Sequence, residues 1–282
     1  MAFNKDFLKH FIDKRNDQDW FTNYYRSAPG SINYEIIANC IQKYLPPEDS
    51  LILDISLDPG IFSEKIAHAN RRLVIADISE EQIKTTREKF EKLGAISQID
   101  QFAIVDEVYD LSHFQSNSFD MSMSLFCTLS YTCEKRNRFF NEIVRVTKIG
   151  APIIFTVKNK IAFLRLLIKE GKIEKLISAT ESGIWEMIDT HYKQYEEFPD
   201  EPAFYAFTSN EIRQFLEKYE CEILEMYAVN SLNLKDPELI SKLRENEDAW
   251  SNLIEIENKL SSDPGLIDSG EEILVVVRKK VI

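Results

Sequence analysis

The feature that most constrains the fold is an alternation of short apolar runs with helix-like segments between residues 51 and 157. The apolar runs are SLILDI, RRLVIAD, QFAIVD, SFDMSMSLF and APIIFTV. Short, continuously apolar runs are typical of strands that are buried on both faces of a sheet. Because helical segments alternate with these runs, the pattern predicts βαβ units and a mostly parallel sheet.

Capping signals predict where several helices begin and end. Ser79 and Gln82 form a capping-box pattern before one helix, and Gly94 follows as its C-terminal stop. Ser31 is expected to cap an earlier helix, which ends near Leu45 just before two prolines. These signals predict one helix before the first apolar run and another after the second.

Beyond residue 157 the alternation is interrupted. Residues 160–200 and 233–262 are predicted to be helical inserts, whereas CEILEMYAV and EEILVVVRKK predict two further strands. The chain is therefore expected to hold a Rossmann-like α/β domain over residues 46–282, with a mostly parallel seven-stranded sheet flanked by helices. Residues 1–45 form an aromatic-rich helical segment that we expect to cover the cleft of this domain.

Composition narrows the possible partners. The formal net charge is -13, so the surface should repel phosphate backbones, and nucleic-acid partners are disfavoured. The four cysteines are scattered without a C-x-x-C pair, and the four histidines lie far apart, which argues against a disulfide framework or a metal site. No apolar run is long enough for a membrane span, and the N-terminus lacks the features of a secretory signal. A cytoplasmic monomer or weak homodimer that acts on a small molecule is expected.

The order of these elements resembles the class I S-adenosylmethionine-dependent methyltransferases, in particular the small-molecule group with a domain of the 11/25 type. The family's first motif is a strand that ends in an acid, followed by Gly-x-Gly-x-Gly; here it reads LILDISLDPG. Asp54 matches the acid and Gly60 the last glycine, while Ser56 and Asp58 replace the first two glycines. Asp58 brings bulk and negative charge to the place of the cofactor's methionine portion, where it would either obstruct the cofactor or contact its ammonium group.

The second and third motifs are acids at the ends of the next two strands. In VIADIS, Asp77 and the following Ile78 match the ribose-binding position, where a carboxylate accepts hydrogen bonds from two hydroxyls; the alternative is an acid that only initiates a helix. In AIVDEVYDL, the resemblance implies that Asp106 accepts the adenine amino group and that the backbone of Glu107 faces the ring. Asp110 is a competing alignment, and an ordinary loop acid is a further alternative.

The fourth stretch, SNSFDMSMSLFCTLSY, resembles the family's fourth strand and the loop after it. Leu125 and Phe126 fall where family members line the adenosine and methyl-donor pocket, although both residue types also suit an ordinary core. The resemblance therefore implies S-adenosylmethionine as cofactor and S-adenosylhomocysteine as product.

Methyl transfer from a sulfonium is an in-line displacement of an activated group, so alignment and exclusion of water matter more than a dedicated acid or base. Ligands of such folds sit beyond the carboxyl ends of the strands. Aromatic residues of the first segment and of the helical insert are candidates to line the substrate pocket, with packing as the alternative: Trp20, Tyr24, Tyr25, Tyr131, Trp185 and Tyr192. His191 is a candidate base, and a surface or capping histidine is the alternative.

Three hypotheses follow. The first is methyl transfer from S-adenosylmethionine to a small, neutral or cationic metabolite. The second, supported by the altered glycine loop, is a catalytically degenerate relative that binds a ligand or partner. The third is different chemistry on the same fold with an adenosyl cofactor, because a fold does not determine a function.

Overall fold

The computed structural model describes residues 3–17, 19–170, 184–192 and 201–280. Its strands are β1 (Leu51–Asp54), β2 (Arg72–Asp77), β3 (Ile99–Ile104), β4 (Met121–Ser124), β5 (Pro152–Lys158), β6 (Cys221–Val229) and β7 (Glu272–Lys279). They form a seven-stranded sheet in the order β3-β2-β1-β4-β5-β7-β6. Strands β1 to β5 pair in parallel, and β7 runs antiparallel between β5 and β6. The predicted mostly parallel seven-stranded sheet is confirmed.

The helices precede, connect and follow the strands. They are α1 (Lys5–Asp17), α2 (Trp20–Arg26), α3 (Ala28–Tyr44), α4 (Ser63–His68), α5 (Glu80–Lys92), α6 (Thr128–Tyr131), α7 (Arg136–Val146), α8 (Lys160–Glu170), α9 (Ile184–Thr190), α10 (Ser209–Leu216), α11 (Pro237–Arg244) and α12 (Glu247–Leu260). In the ranges of the predicted inserts, α8 and α9 lie in the first and α11 and α12 in the second. Residues 171–183 and 193–200 of the first insert lie outside the described residues. Within the described ranges, no helix has the length and apolar character needed to cross a bilayer.

The local signals account for most helix starts, with one correction. The Ser79 side chain accepts a hydrogen bond from the backbone N–H of Gln82 at 3.0 Å, as the capping pattern predicts. The predicted cap at Ser31 is wrong, because α3 begins one turn earlier and Ser31 lies inside it. Ser27 is the cap instead: its Oγ accepts from the backbone N–H of Gly30 at 3.2 Å.

The central strands are almost completely buried. All four residues of β4 are buried, and so are three of the four in β1, so both faces of the central sheet are covered. The N-terminal helices lie near the carboxyl ends of β2 and β4. There Asn16 of α1 donates to Thr85 of α5 at 2.7 Å, and the ring of Phe21 of α2 lies 4.8 Å from that of Phe126.

Candidate active site

The candidate site is the edge of the sheet where the parallel strands β1, β2 and β4 end. Parallel strands present their carboxyl ends at the same edge, and ligands of such sheets bind there. Asp54 ends β1 and Asp77 ends β2, and their exposed fractions are 3% and 2%. The fold therefore brings the first two predicted motif acids to one buried edge.

The loop after β1 is held by its own polar side chains. Asp54 Oδ1 accepts from the backbone N–H of Ser56 at 3.0 Å, and Asp54 Oδ2 accepts from the hydroxyl of Ser63. Ser56 Oγ in turn accepts from the backbone N–H of Leu125 at 2.9 Å. The serine in place of the first glycine thus ties the loop after β1 to the loop after β4.

Asp58, which replaces the second glycine, is turned back onto its own loop. Its Oδ1 accepts from the backbone N–H of Ile61 at 2.7 Å, just before α4 begins. The side chain is 4% exposed, and burial, reinforced by the nearby charge of Asp54, raises the pKa of Asp58 to about 7. Asp58 therefore stabilises the turn, a role that the sequence comparison did not anticipate.

Gly60 is required by both conformation and space. Its φ is +66°, a region that side-chain-bearing residues rarely adopt. A Cβ atom at this position would lie 3.1 Å from Cγ2 of Thr86 and 3.3 Å from Cε2 of Phe90. A side chain at Gly60 would therefore strain the backbone and crowd Thr86 and Phe90.

Asp77 has one satisfied and one unsatisfied carboxyl oxygen. Its Oδ1 accepts from the backbone N–H of Ser79 at 2.7 Å, whereas its Oδ2 is buried without a hydrogen-bond partner among the described residues. Burial raises the pKa of Asp77 well above its ordinary value. Since buried polar atoms are nearly always paired in proteins, the unpartnered oxygen marks a place for a ligand hydroxyl. The adjacent Ile78 is 2% exposed.

The acids after β3 are arranged differently from one another. Asp106 is exposed, whereas Glu107 is partly buried and its Oε2 is enclosed without a hydrogen-bond partner in the described part of the chain. The side chain of Glu107, for which the sequence comparison invoked only the backbone, is therefore the more enclosed carboxylate at this strand end.

The loop after β4 has an unusual backbone conformation that the sequence does not predict. Phe126 and Cys127 both have a positive φ, at 54° and 55°. Consecutive non-glycine residues in this region cost free energy, and such strain often occurs at functional sites. Leu125 is fully buried, and Phe126 is 5% exposed with its ring 5.8 Å from that of Trp20.

Four of the aromatic candidates come together around this loop. Trp20 stacks on Tyr24 at 5.0 Å, and Tyr24 lies 5.0 Å from Tyr25. Tyr131 lies 6.4 Å from Phe126 and is 2% exposed, but its hydroxyl has no hydrogen-bond partner among the described residues. These rings thus form a cover over the ends of β1 and β4.

The candidates from the helical insert lie elsewhere. Trp185 is 53% exposed on α9. The hydroxyl of Tyr192 accepts from Arg136 at 2.9 Å. His191 Nδ1 lies 3.2 Å from Oε1 of Glu211, and burial lowers the pKa of His191, although Glu211 acts in the opposite direction. His191 and Tyr192, which directly follow α9, therefore lie beside Glu211 of α10 and Arg136 of α7.

A cavity of about 720 Å³ adjoins the loop after β1. It is lined by Pro59 and Ile61 of the loop and by residues of α2, α3 and α5, but not by Asp77 or Leu125. Its volume suits a small ligand, since ligand pockets commonly measure about 300–1,000 Å³.

Residues 52–150 match the family model of the methyltransferase domain. The chain as a whole has the class I S-adenosylmethionine-dependent methyltransferase fold, as the resemblance of its motifs implied. Among curated proteins, no sequence matches this chain.

Similar solved structures extend over most of the chain. One is the methyltransferase in a complex with the Haloferax volcanii Trm112 methyltransferase activator (12% identity, 97% of this chain and 98% of that chain, TM-score 0.59). Another is an S-adenosylmethionine-dependent methyltransferase from Methanosarcina mazei (19% identity, 86% and 98% covered, TM-score 0.54). A third is the [4+2]-cyclase SpnF (14% identity, 88% and 82% covered, TM-score 0.55). At these identities the likeness shows the fold alone.

Proposed function

We propose that the protein transfers a methyl group from S-adenosylmethionine to a small-molecule acceptor. The observation that carries this proposal is Asp77, a buried carboxylate at the end of β2 with an unpartnered Oδ2 at the family's ribose position. A ribose hydroxyl would satisfy this oxygen, which otherwise bears an uncompensated desolvation cost of about 1–3 kcal/mol. The match of residues 52–150 to the family model of the methyltransferase domain supports the same assignment.

The described residues fit the cofactor at three positions. Asp77 and Ile78 would hold the ribose, Asp106 and Glu107 would lie beside the adenine, and the loop from Asp54 to Gly60, with Ser56, Asp58 and the facing Leu125, would lie beside the methionine portion. When bound, the cofactor supplies a methyl group that is already activated by its sulfonium. The side chain of Asp58 is engaged by the backbone of Ile61, so it is not free to fill the cleft as an unattached carboxylate.

The protein's own contribution is alignment and exclusion of water. Ser56 ties the loop after β1 to the loop after β4, so the two loops keep a fixed position relative to each other. Trp20, Tyr24, Tyr25 and Tyr131 cover these loops and keep water from the reacting centre.

Residues 1–45 serve as the cover and residues 46–282 as the catalytic domain, and the protein works in the cytoplasm as a monomer or weak homodimer. The net charge of -13 favours a neutral or cationic small molecule over a nucleic acid. We expect a contribution to acceptor binding from the region of α9 only, through Trp185, His191 and Tyr192.

A second candidate function is binding without catalysis. It is favoured by the deep burial of Asp54, Ser56, Asp58 and Asp77 beneath the N-terminal helices, where the Ser79 hydroxyl donates to Asp13 of α1. In that case the N-terminal helices would stay packed on the carboxyl ends of the strands and would not open to admit a cofactor.

The test is transfer of labelled methyl groups from S-adenosylmethionine to separated fractions of a cell extract. We expect label in the small-molecule fraction with the wild type and little with Asp77→Ala, while the exposed-site control Asp248→Asn should match the wild type. Label that appears only in the protein or RNA fraction would contradict a small-molecule acceptor. Complete absence of transfer, together with absence of cofactor binding, would favour the second candidate.

A further inference from the structure

An oppositely charged pair of side chains lies where the ends of β5 and β7 meet at the ligand edge of the sheet. Lys158, the last residue of β5, is the direct register partner of Glu272, the first residue of β7. Directly opposed residues of antiparallel strands project to the same face of the sheet. Among the residues that the structure describes, no salt bridge joins the two, so their charges lie side by side without neutralising each other in a direct contact.

The surroundings of Lys158 favour its charged form. Its Nζ lies 5.4 Å from the ring centre of Tyr131 and 5.7 Å from that of Phe204, within the range of a cation–π interaction. Burial acts to lower the pKa of Lys158, but the neighbouring Tyr131 and the carboxylates of Glu201 and Glu272 act against it, and the pKa is raised overall. Lys158 is therefore a partly buried side chain that carries a positive charge at neutral pH.

Two polar atoms beside Lys158 have no hydrogen-bond partner among the described residues. They are Oε2 of Glu272 and the hydroxyl of Tyr131, and both atoms are buried. Burial raises the pKa of Glu272, while Lys158 acts to lower it. Because buried polar atoms without partners are rare and costly, this acceptor and this donor indicate a site for a polar ligand.

This cluster adjoins the proposed cofactor loop. Thr156 of β5 accepts from the backbone N–H of Cys127 at 2.8 Å, which links β5 to the strained loop after β4. Tyr25 lies between the two regions: burial raises the pKa of its phenol, and the nearby charges of Glu272 and Asp58 raise it further. The cluster and the loop after β1 therefore share Tyr25 as a near neighbour.

The charges around Tyr131 are balanced. Lys158 and Arg15 supply two positive charges, and Glu201 and Glu272 supply two carboxyl groups, all close enough to interact with the same cluster. A ligand with a single net charge would add an unpaired charge to this balanced cluster, and an unpaired charge in a buried environment is unfavourable. A ligand that carries one positive and one negative charge can pair with a side chain of each sign and leaves the net charge unchanged.

We propose that Tyr131, Lys158 and Glu272 form a binding site for a small zwitterion of the aminocarboxylate class. The carboxylate of the ligand pairs with the Lys158 ammonium, its amine donates to Oε2 of Glu272, and the Tyr131 hydroxyl completes the hydrogen bonding. The inference rests on the proposed function in one respect only, that this ligand is the methyl acceptor.

The test is thermal stabilisation of the full chain by each of the twenty standard amino acids, with ethylamine and propionate as single-charge analogues of alanine. A ligand that binds only the native state raises the unfolding temperature in proportion to its affinity. We expect at least one amino acid to stabilise the wild type and neither single-charge analogue to do so. Glu272→Gln and Lys158→Met should each weaken that binding by roughly 10- to 100-fold, because each leaves a ligand charge unpaired. The control Glu222→Gln, at an exposed position on β6, should bind as the wild type does.

The outcomes separate this inference from the proposed function. Stabilisation by no amino acid, equal stabilisation of the wild type and both variants, or equal stabilisation by a single-charge analogue would each overturn the zwitterion site. S-adenosylhomocysteine binding, measured on the same samples, tests the cofactor assignment separately. Binding of S-adenosylhomocysteine without any amino acid overturns this inference alone, whereas the reverse result supports the site and contradicts the proposed function.

Discussion

Replacing Asp58 with asparagine should stabilise the protein at neutral pH, although the wild-type side chain makes a hydrogen bond. The carboxyl group is buried close to Asp54, and its pKa is raised from 3.8 to about 7 by burial and by the charge of Asp54. An amide has nearly the same shape and keeps an oxygen that can accept from the backbone N–H of Ile61 at the present 2.7 Å. The substitution therefore removes the charge and keeps the turn.

The magnitude follows from proton linkage. Between pH 3.8 and about 7 the unfolded chain releases the Asp58 proton while the native protein retains it, so stability falls as the pH rises through this window. At about 1.36 kcal/mol per pH unit, the native state loses up to about 4 kcal/mol across the window. The Asp58→Asn variant escapes this loss, so the two proteins should be similar at pH 4, and the variant should be more stable by up to about 4 kcal/mol at pH 8.

The assay is urea unfolding at pH values from 4 to 8, with the free energy of unfolding compared between the variant and the wild type at each pH. Asp248→Asn, at an exposed position in the first turn of α12, is the matched control and should change stability by no more than about 0.5 kcal/mol. The reasoning fails if the difference between Asp58→Asn and the wild type does not grow with pH, or if the variant is the less stable protein at pH 8.

Three further predictions concern the loops and caps. Asp77→Ala should weaken S-adenosylhomocysteine binding by about 1–3 kcal/mol in calorimetry, because ribose hydroxyls lose their hydrogen-bond partner; an unchanged affinity would remove Asp77 from the site. Gly60→Ala should lower the free energy of unfolding by about 1–3 kcal/mol, more than Gly94→Ala, because both have a positive φ but only Gly60 is crowded by neighbours; equal losses would refute the crowding argument. Thr208→Ala should cost about 1 kcal/mol in urea unfolding, since it breaks the capping box at the start of α10; a loss below about 0.3 kcal/mol would show that the cap is unimportant.

Much of the fold could be predicted because its signals are local. The apolar runs of β1 and β5 indicate buried strands whatever their partners, and the cap at Ser79 depends only on residues within one turn. The start of α3 was misplaced because Ser27 and Ser31 are both good capping residues. Ser27 rather than Ser31 is the cap because Pro29 suits the first turn of a helix and because Ser31 is buried.

The site was less accessible from sequence because it depends on contacts between distant segments. Asp54 and Asp77 could be predicted from their positions at strand ends. The roles of Ser56 and Asp58 could not, since they arise from hydrogen bonds to backbone groups that the folded loops bring close. Lys158 and Glu272 lie 114 positions apart and meet only through the register of β5 and β7. The one local signal for them was a charged residue at the end of an otherwise apolar strand.

The most direct test of the account is calorimetric titration of the purified protein with S-adenosylmethionine and S-adenosylhomocysteine. The account predicts binding of either ligand with a dissociation constant in the micromolar range, about -8 kcal/mol, which the Asp77→Ala variant should largely lose. Absence of measurable heat for both ligands, with no rise in unfolding temperature when they are added, would contradict the cofactor assignment and favour a packed scaffold without catalysis.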